Sequence, residues 1–321
     1  MTPNLGKTTF TDQELAALRA DATAYIERHA MTKVAFAEEC DVPEGTFGPW
    51  LKGSYGGDNN KPAAKVYRFL NARREQASLA ASVPVAPEWQ ETKSARKVMA
   101  ALEHGQVFGD LVVIGIGPGI GKTATITQYQ AIRPRVWVAT MSPSTRGVPN
   151  ALIEMLDAMG EPDAKGTPQA LSRRVQKRAA MGGLIIVDEA QHLSQQAVDE
   201  FRSIHDRTGV GMVFSGDESV FSLFDGTRKQ AFAQFHSRIG LRLRQPRPYV
   251  EDVTILARAH GVTDAPSVKM LVEMAMKPGA LRGMTKTLLL ARRMATMADE
   301  PLTPQLIREA WAQRAPELAA A

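Results

Sequence analysis

The sequence predicts an α/β fold, a P-loop core with a parallel sheet, preceded by an all-α segment and followed by a second helical one. Two motifs and one pattern carry this. The apolar run Leu111-Val112-Val113-Ile114 leads into a glycine-rich turn that ends in Lys122-Thr123. A second apolar run, Leu184-Ile185-Ile186-Val187, ends in Asp188-Glu189. From about residue 94 to 245, strand-like runs alternate with helical periodicity, as in a parallel sheet covered on both faces.

A strand, glycine-rich loop and helix in that order surround phosphates with backbone N–H groups of the loop and of the helix N-terminus. Gly117, Pro118, Gly119, Ile120, Gly121, Lys122, Thr123 and Ala124 are therefore the expected nucleotide-binding stretch. Lys122 would reach the β- and γ-phosphate oxygens of ATP, and Thr123 can offer its hydroxyl to Mg2+. Asp188, at the mouth of a neighbouring buried strand, would hold that ion through its hydration shell, and Glu189 would polarise the attacking water. Two acids capping four aliphatics would suit a plain buried strand poorly, because an unpaired buried charge is costly. One departure is visible. Counting back from Lys122, the first glycine of the P-loop pattern falls on Ile116, so the loop either turns at a neighbouring residue or carries one extra residue.

Composition narrows the class. The chain has 321 residues, 44% hydrophobic and 23% charged, which suits a soluble protein of two or three domains. No apolar run approaches the length needed to cross a bilayer, and Met1-Thr2-Pro3-Asn4 lacks the layout of a signal peptide, so the expected compartment is the cytoplasm. Cys40 is the only cysteine, which excludes an intramolecular disulfide and a cysteine-rich zinc site; a small core group is its expected role. The net charge of +5 is compatible with a polyanionic partner, and most of the excess lies beyond Arg228.

Residues 1–76 read as a helical domain. Leu15, Leu18, Ala22, Tyr25 and Ile26 follow amphipathic spacing, and Lys33 to Gly53 place Phe36, Ala37, Cys40, Val42, Phe47 and Trp50 at apolar positions around an Asp41-Val42-Pro43 break. This stretch resembles the helix-turn-helix of the phage repressor and Cro class, which would put a helix starting near Glu44 into a major groove. Thr46 and Lys52 are its best DNA-contacting side chains, and Gly48-Pro49 is a departure, since proline removes a helix hydrogen bond. Residues 77–93, with two prolines and no helical periodicity at their centre, read as a linker.

The core is expected over 94–245, opening on a helix from Ser94 to His104. Strands are expected at Leu111–Ile114, Val136–Thr140, Leu184–Val187, Met212–Phe214 and near Arg238–Leu243. Residues 246–321 return to helical periodicity, with helices at Val250–His260, Ser267–Met276, Leu281–Met297 and Thr303–Ala312. Gln191 and His192 are expected to start the helix after Glu189.

Over nearly its whole length the chain resembles the phage Mu target-DNA activator B family of AAA+ transposition ATPases. The likeness rests on Trp50-Leu51-Lys52-Gly53-Ser54-Tyr55-Gly56-Gly57-Asp58-Asn59, on Gly183 to Ala190, on Phe235-His236-Ser237-Arg238-Ile239, and on Lys277-Pro278-Gly279-Ala280-Leu281-Arg282. The resemblance implies an AAA+ core with a C-terminal helical lid whose Arg282, as second sensor, reaches the γ-phosphate. It implies an ATPase that binds double-stranded DNA without regard to sequence, assembles on it as a helical filament, delivers it to a transposase and stimulates transposition. Arg238 is the first candidate for an arginine supplied to a neighbouring copy's ATP, with Arg242 and Arg244 behind it. Asp217 stands where the family's first sensor is often asparagine, and a carboxylate there would repel the γ-phosphate, so slow turnover without a partner is expected. DNA contacts in the core are expected from Arg146 and from Arg173, Arg174, Lys177 and Arg178, whose spacing places cations on one side of a helix. Two other readings use the same motifs: an ATP-switched helix-turn-helix regulator that recognises an operator, and a helicase-loading ATPase.

Overall fold

A computed structural model describes residues 7–81, 86–224, 239–315 and 317. They belong to two units, Met1–Pro84 and Val85–Ala321.

The first unit is helical: α1 (Asp12–Arg28), α2 (Lys33–Glu39), α3 (Glu44–Leu51) and α4 (Asn60–Ala81). Thr11 and Glu14 form a capping box at the start of α1, and Thr32 caps α2. Asp41 takes a left-handed φ of 54° between α2 and α3, where a short polar side chain is tolerated. Phe36, Phe47, Trp50, Ala63 and Val66 close a core around this turn. Pro49 does not break α3. The helix spans only 8 residues, so the proline removes one hydrogen bond near its end. Beyond α3, the Trp50 indole donates to the Asn59 carbonyl at 3.2 Å, and Asn59 donates to Tyr55 and Gly57. The expected linker at 77–93 is corrected at both ends. Helix α4 continues to Ala81 through Ala77-Ser78-Leu79-Ala80, which contains good helix formers, and the next helix already starts at Lys93.

The second unit holds α5 (Lys93–Phe108), β1 (Leu111–Ile116), α6 (Lys122–Ile132), β2 (Val136–Thr140), α7 (Val148–Ala158), α8 (Pro168–Ala179), β3 (Leu184–Asp188), α9 (Gln195–Thr208), β4 (Gly211–Gly216) and β5 (Ile239–Gln245). The strands form a five-stranded sheet in the order β2-β3-β4-β1-β5, and every pairing is parallel. Strands β1, β3 and β4 are buried along their whole length, which is why they read as continuous apolar runs. Alternate residues face opposite sides. Leu111 and Val113 join the core under α7, α8 and α9, whereas Val112 and Ile114 join the core under α5 and α6. Among the described residues strand β5 pairs only with β1, and up to the buried Gln245 it alternates between half-buried and exposed residues, as an edge strand does.

The chain ends in α10 (Val250–Ala259), α11 (Ala265–Ala275), α12 (Ala280–Ala298) and α13 (Pro304–Arg314). Their apolar faces share the cluster that covers α5 and α6, so the lid packs on one side of the sheet. A buried polar joint fixes it. Asp252 on α10 accepts from the Ser94 and Tyr249 backbone N–H groups, both at 2.9 Å, and from the Ser94 hydroxyl. Such a carboxylate is tolerated inside because donors surround it. Among the described residues no helix is long and apolar enough to cross a membrane.

Candidate nucleotide-binding site

Strand β1 delivers the loop. It runs through Ile116, which is 1% exposed, and the chain turns at Gly117, so Ile116 is the last strand residue and the loop turns one residue later than the pattern's count. The Gly117 N–H donates to the Gln245 carbonyl at 2.9 Å, and a Cβ at Gly117 would strike the Pro246 carbonyl. Gly119 has φ +80°, and its carbonyl accepts from the Arg282 N–H at 2.9 Å. A Cβ there would strike the Gly279 carbonyl of the lid. Gly121, with φ +105°, precedes α6 and offers no side-chain cap, so the N–H groups of the first turn of this 11-residue helix remain available to an anion.

Helix α6 then places Lys122 and Thr123 over the end of β3. Lys122 Nζ lies 2.5 Å from Asp188 Oδ1 and 3.1 Å from Glu189 Oε1. The Thr123 hydroxyl donates to Asp188 Oδ2 at 3.1 Å. The four residues singled out from two distant motifs therefore meet in one cluster. Thr123 and Asp188 supply a hydroxyl and a carboxylate oxygen, the hard donors Mg2+ prefers, in a number that leaves room for phosphate and water. Among the described residues no group of three or more His, Cys, Asp or Glu could hold a metal by itself.

A cavity of about 380 Å³ extends from Gly119, Ile120, Gly121, Thr123 and Ala124. Its other walls are Trp89 in the segment before α5, Leu256 and His260 of the lid, and Leu281 and Arg282 at the start of α12. An apolar wall near one end and phosphate-binding backbone at the other suit a purine nucleotide. Gly117 and Pro118 form the base of the loop and do not line this space. Trp89 and His260 were not singled out from the sequence, because neither stands in a motif.

Other expected site residues are placed differently. Asp217 is engaged elsewhere: its carboxylate accepts from the Ser219 N–H at 2.8 Å and from the Ser219 hydroxyl at 2.5 Å, capping the 3₁₀ helix Glu218–Leu223. It does not line the cavity, because an aspartate two residues before a serine is used as a cap. Arg238 and the segment 235–238 lie outside the described residues. Arg242 is exposed on β5. Arg244 pairs with Glu218 at 2.8 Å and sits over the Phe221 ring.

Of the basic residues expected on α8, two are paired within the fold. Arg174 Nε and Arg178 Nε donate to Glu161 at 2.9 and 2.6 Å. These bonds, that of Arg174 foremost, hold the Glu161 carboxyl below its usual range. Two of the four cations are thus tied to the turn after α7, while Arg173 and Lys177 stay exposed. Arg146 is exposed on the loop after β2, and its carbonyl accepts from the Ser194 N–H at 2.8 Å. In the first unit, Lys52 is exposed, and Thr46 lines a hollow of about 620 Å³ with Lys61, Lys65 and Arg68 of α4. The spacing of these three cations, four and three residues, is the sequence signal that places them on one helix face. Lys65 is paired with Asp41 at 2.7 Å.

Known proteins share this architecture. Residues 109–224 match the AAA domain family, and residues 237–313 match the family described as Mu B transposition protein, C terminal. The chain is 29% identical over 296 residues to the ATP-dependent target DNA activator B of Escherichia phage Mu, covering 92% of this chain and 94% of that protein. It is 28% identical over 261 residues to the Mu-like prophage FluMu DNA transposition protein B of Haemophilus influenzae, covering 80% and 90%. Among solved structures, the ORC2 protein of Aeropyrum pernix aligns with a TM-score of 0.54 at 16% identity, over 72% of this chain and 70% of that one, a likeness of fold. With a P-loop joined to its lid through Gly119 and Arg282, and with matches to two family models along one chain, this protein carries an AAA domain and is similar to the Mu B transposition proteins.

Proposed function

We propose that the chain binds ATP with Mg2+, that ATP-loaded copies assemble as a helical oligomer on double-stranded DNA without regard to base sequence, and that they present this DNA to a transposase. The observation that carries the nucleotide part is the meeting of Lys122, Thr123, Asp188 and Glu189 at the mouth of β3. The similarity to a target DNA activator of phage Mu and to a DNA transposition protein of Haemophilus supports the DNA and transposition part.

In this reading Lys122 leaves its two carboxylates for the β- and γ-phosphate oxygens, and the N–H groups of Gly119 to Thr123 hold the phosphate chain. Thr123 and Asp188 would hold Mg2+, which when bound neutralises charge developing on the phosphates. Glu189, freed from Lys122, would accept a hydrogen bond from the attacking water, so that the water oxygen's lone pair faces the γ-phosphorus as its bond to the β–γ bridging oxygen breaks and ADP leaves. Arg282 stands on the first turn of α12, whose backbone already touches the P-loop, so loss of the γ-phosphate alters what the lid can hold. Arg238 remains the proposed arginine supplied to a neighbouring copy.

For DNA contact we propose Arg146, Arg173 and Lys177 in the second unit, and Thr46, Lys52, Lys61 and Arg68 in the first. All would meet backbone phosphates, which gives affinity without sequence preference. The domain boundaries proposed are a helical DNA-binding domain to about residue 81, a core to 245 and a lid beyond it, in a protein acting in the cytoplasm. The test is fluorescence anisotropy on two duplexes of unrelated sequence, with ATP, ADP or no nucleotide. Equal binding to both duplexes that requires ATP and falls steeply with salt is expected. A preference for one duplex, or equal binding without nucleotide, would contradict the proposal.

A further inference from the structure

Gln191 stands two residues beyond Glu189, in the 3₁₀ turn Ala190–His192. Its Nε2 donates to Glu189 Oε2 at 2.6 Å. A carboxylate only accepts, so the amide nitrogen has to face it and the amide oxygen points away. On that side Oε1 is buried with no hydrogen-bond partner. It lies against Gly216 at the end of β4, where any Cβ would collide with it. The preceding residue, Ser215, is fully buried and its hydroxyl is equally without a partner.

A buried polar atom without a partner is unfavourable, so the amide holds this position for some compensating contact. That contact is the charge-assisted bond to Glu189. Glu189 needs such support. Its backbone is left-handed, with φ 52°, and its side chain is 37% exposed. Lys122 and Gln191 are the side chains bonded to its carboxylate among the described residues. Lys122 is required elsewhere once phosphates arrive, whereas Gln191 is not. Asp217, which follows β4 at the position of the family's first sensor, is occupied in capping Ser219.

We infer that Gln191 is a positioning residue for ATP hydrolysis: its amide aims the Glu189 carboxylate, and the glycine at 216 supplies the space that the amide occupies. Gln191 acts through Glu189 and makes no contact with the phosphates. This rests on the reading of Glu189 as the group that polarises the water, and the test separates the two.

The measurement is steady-state ATP hydrolysis by the full chain on duplex DNA, with kcat and KM resolved, beside titration with a fluorescent ATP analogue. Gln191→Ala should lower kcat by about tenfold or more while nucleotide affinity stays within about twofold, the pattern for losing a group that orients a reacting one. Gly216→Ala, which displaces the amide without removing it, should lower kcat in the same way. In a Glu189→Gln background, Gln191→Ala should add no further loss, since its target is already gone. The inference is overturned if Gln191→Ala keeps kcat within about twofold, or if kcat and nucleotide affinity fall together as they would for a residue that merely supports the fold. Additive losses in the double variant overturn it too. A Glu189→Gln protein that turns over like the parent overturns the assignment of Glu189 itself, a separate failure that is read from its own arm.

Discussion

Replacing the P-loop lysine should do more than abolish nucleotide binding. In the structure Lys122 is 10% exposed and bridges Asp188, which is 1% exposed, to Glu189. Lys122→Ala leaves Asp188 buried with the Thr123 hydroxyl as its side-chain donor. Removing one partner of a buried ion pair typically costs ~3–5 kcal/mol, because the remaining charge is uncompensated. The lower figure applies here, since Thr123 still donates and solvent can enter along the space the lysine leaves. For a unit of this size each kcal/mol lowers Tm by about 2–4 °C, so a fall of about 6–12 °C is expected. Lys122→Ala combined with Asp188→Asn removes the stranded charge and should recover most of that loss. The assay is a circular dichroism melt without nucleotide or Mg2+. A Lys122→Ala chain that melts with the parent, or a double variant that melts below the single one, would refute the electrostatic reasoning.

Other consequences follow from particular contacts. Gly119→Ala forces an alanine into the left-handed region, costing about 1–2 kcal/mol, and drives its methyl into the Gly279 carbonyl; affinity for a fluorescent ATP analogue should fall at least about tenfold, and parental affinity would show that the close approach of loop and lid is dispensable. His260 is buried, and burial foremost, with the Arg292 guanidinium second, holds its imidazole below the usual histidine range. The unfolded chain then binds the proton that the folded chain refuses, so stability falls as pH drops below about 6.5, and His260→Leu should flatten the decline of Tm between pH 7 and 5. An unchanged slope would remove His260 from the account. Burial pushes the Cys40 thiol up to about 12, so it should resist a thiol reagent at pH 8 until its helical unit unfolds, and rapid labelling of native protein would contradict the packing described.

The parts of this molecule legible in the sequence are those whose signal is local. Strands β1 and β3 are buried on both faces, so their aliphatic runs stand out, and the residues after them carry motif spacing that places Lys122 beside Asp188. Ile116 looked like a flaw only because the pattern fixes a count, whereas the chain needs glycine where backbone crowds it, at Gly117 and Gly119. What was missed depends on partners distant in sequence. Nothing near Arg174 and Arg178 shows that Glu161, across the α7–α8 turn, will claim both. The continuation of α4 past residue 77 follows from helix propensity that the nearby prolines obscured. Asp217 was weighed against a family position when its local chemistry, a cap for Ser219, decides its orientation. Gln191 reads in the sequence only as the start of a helix, and the packing of its turn against Gly216 gives it a task.

Electron microscopy of the full chain on random-sequence duplex DNA, with ATP, ADP or no nucleotide, tests the central claim most directly. With ATP the chain should coat the duplex as regular filaments that vanish on hydrolysis, and Glu189→Gln should keep them in place. Filaments that form equally well without nucleotide, or bare DNA in the presence of a nonhydrolysable ATP analogue, would contradict it.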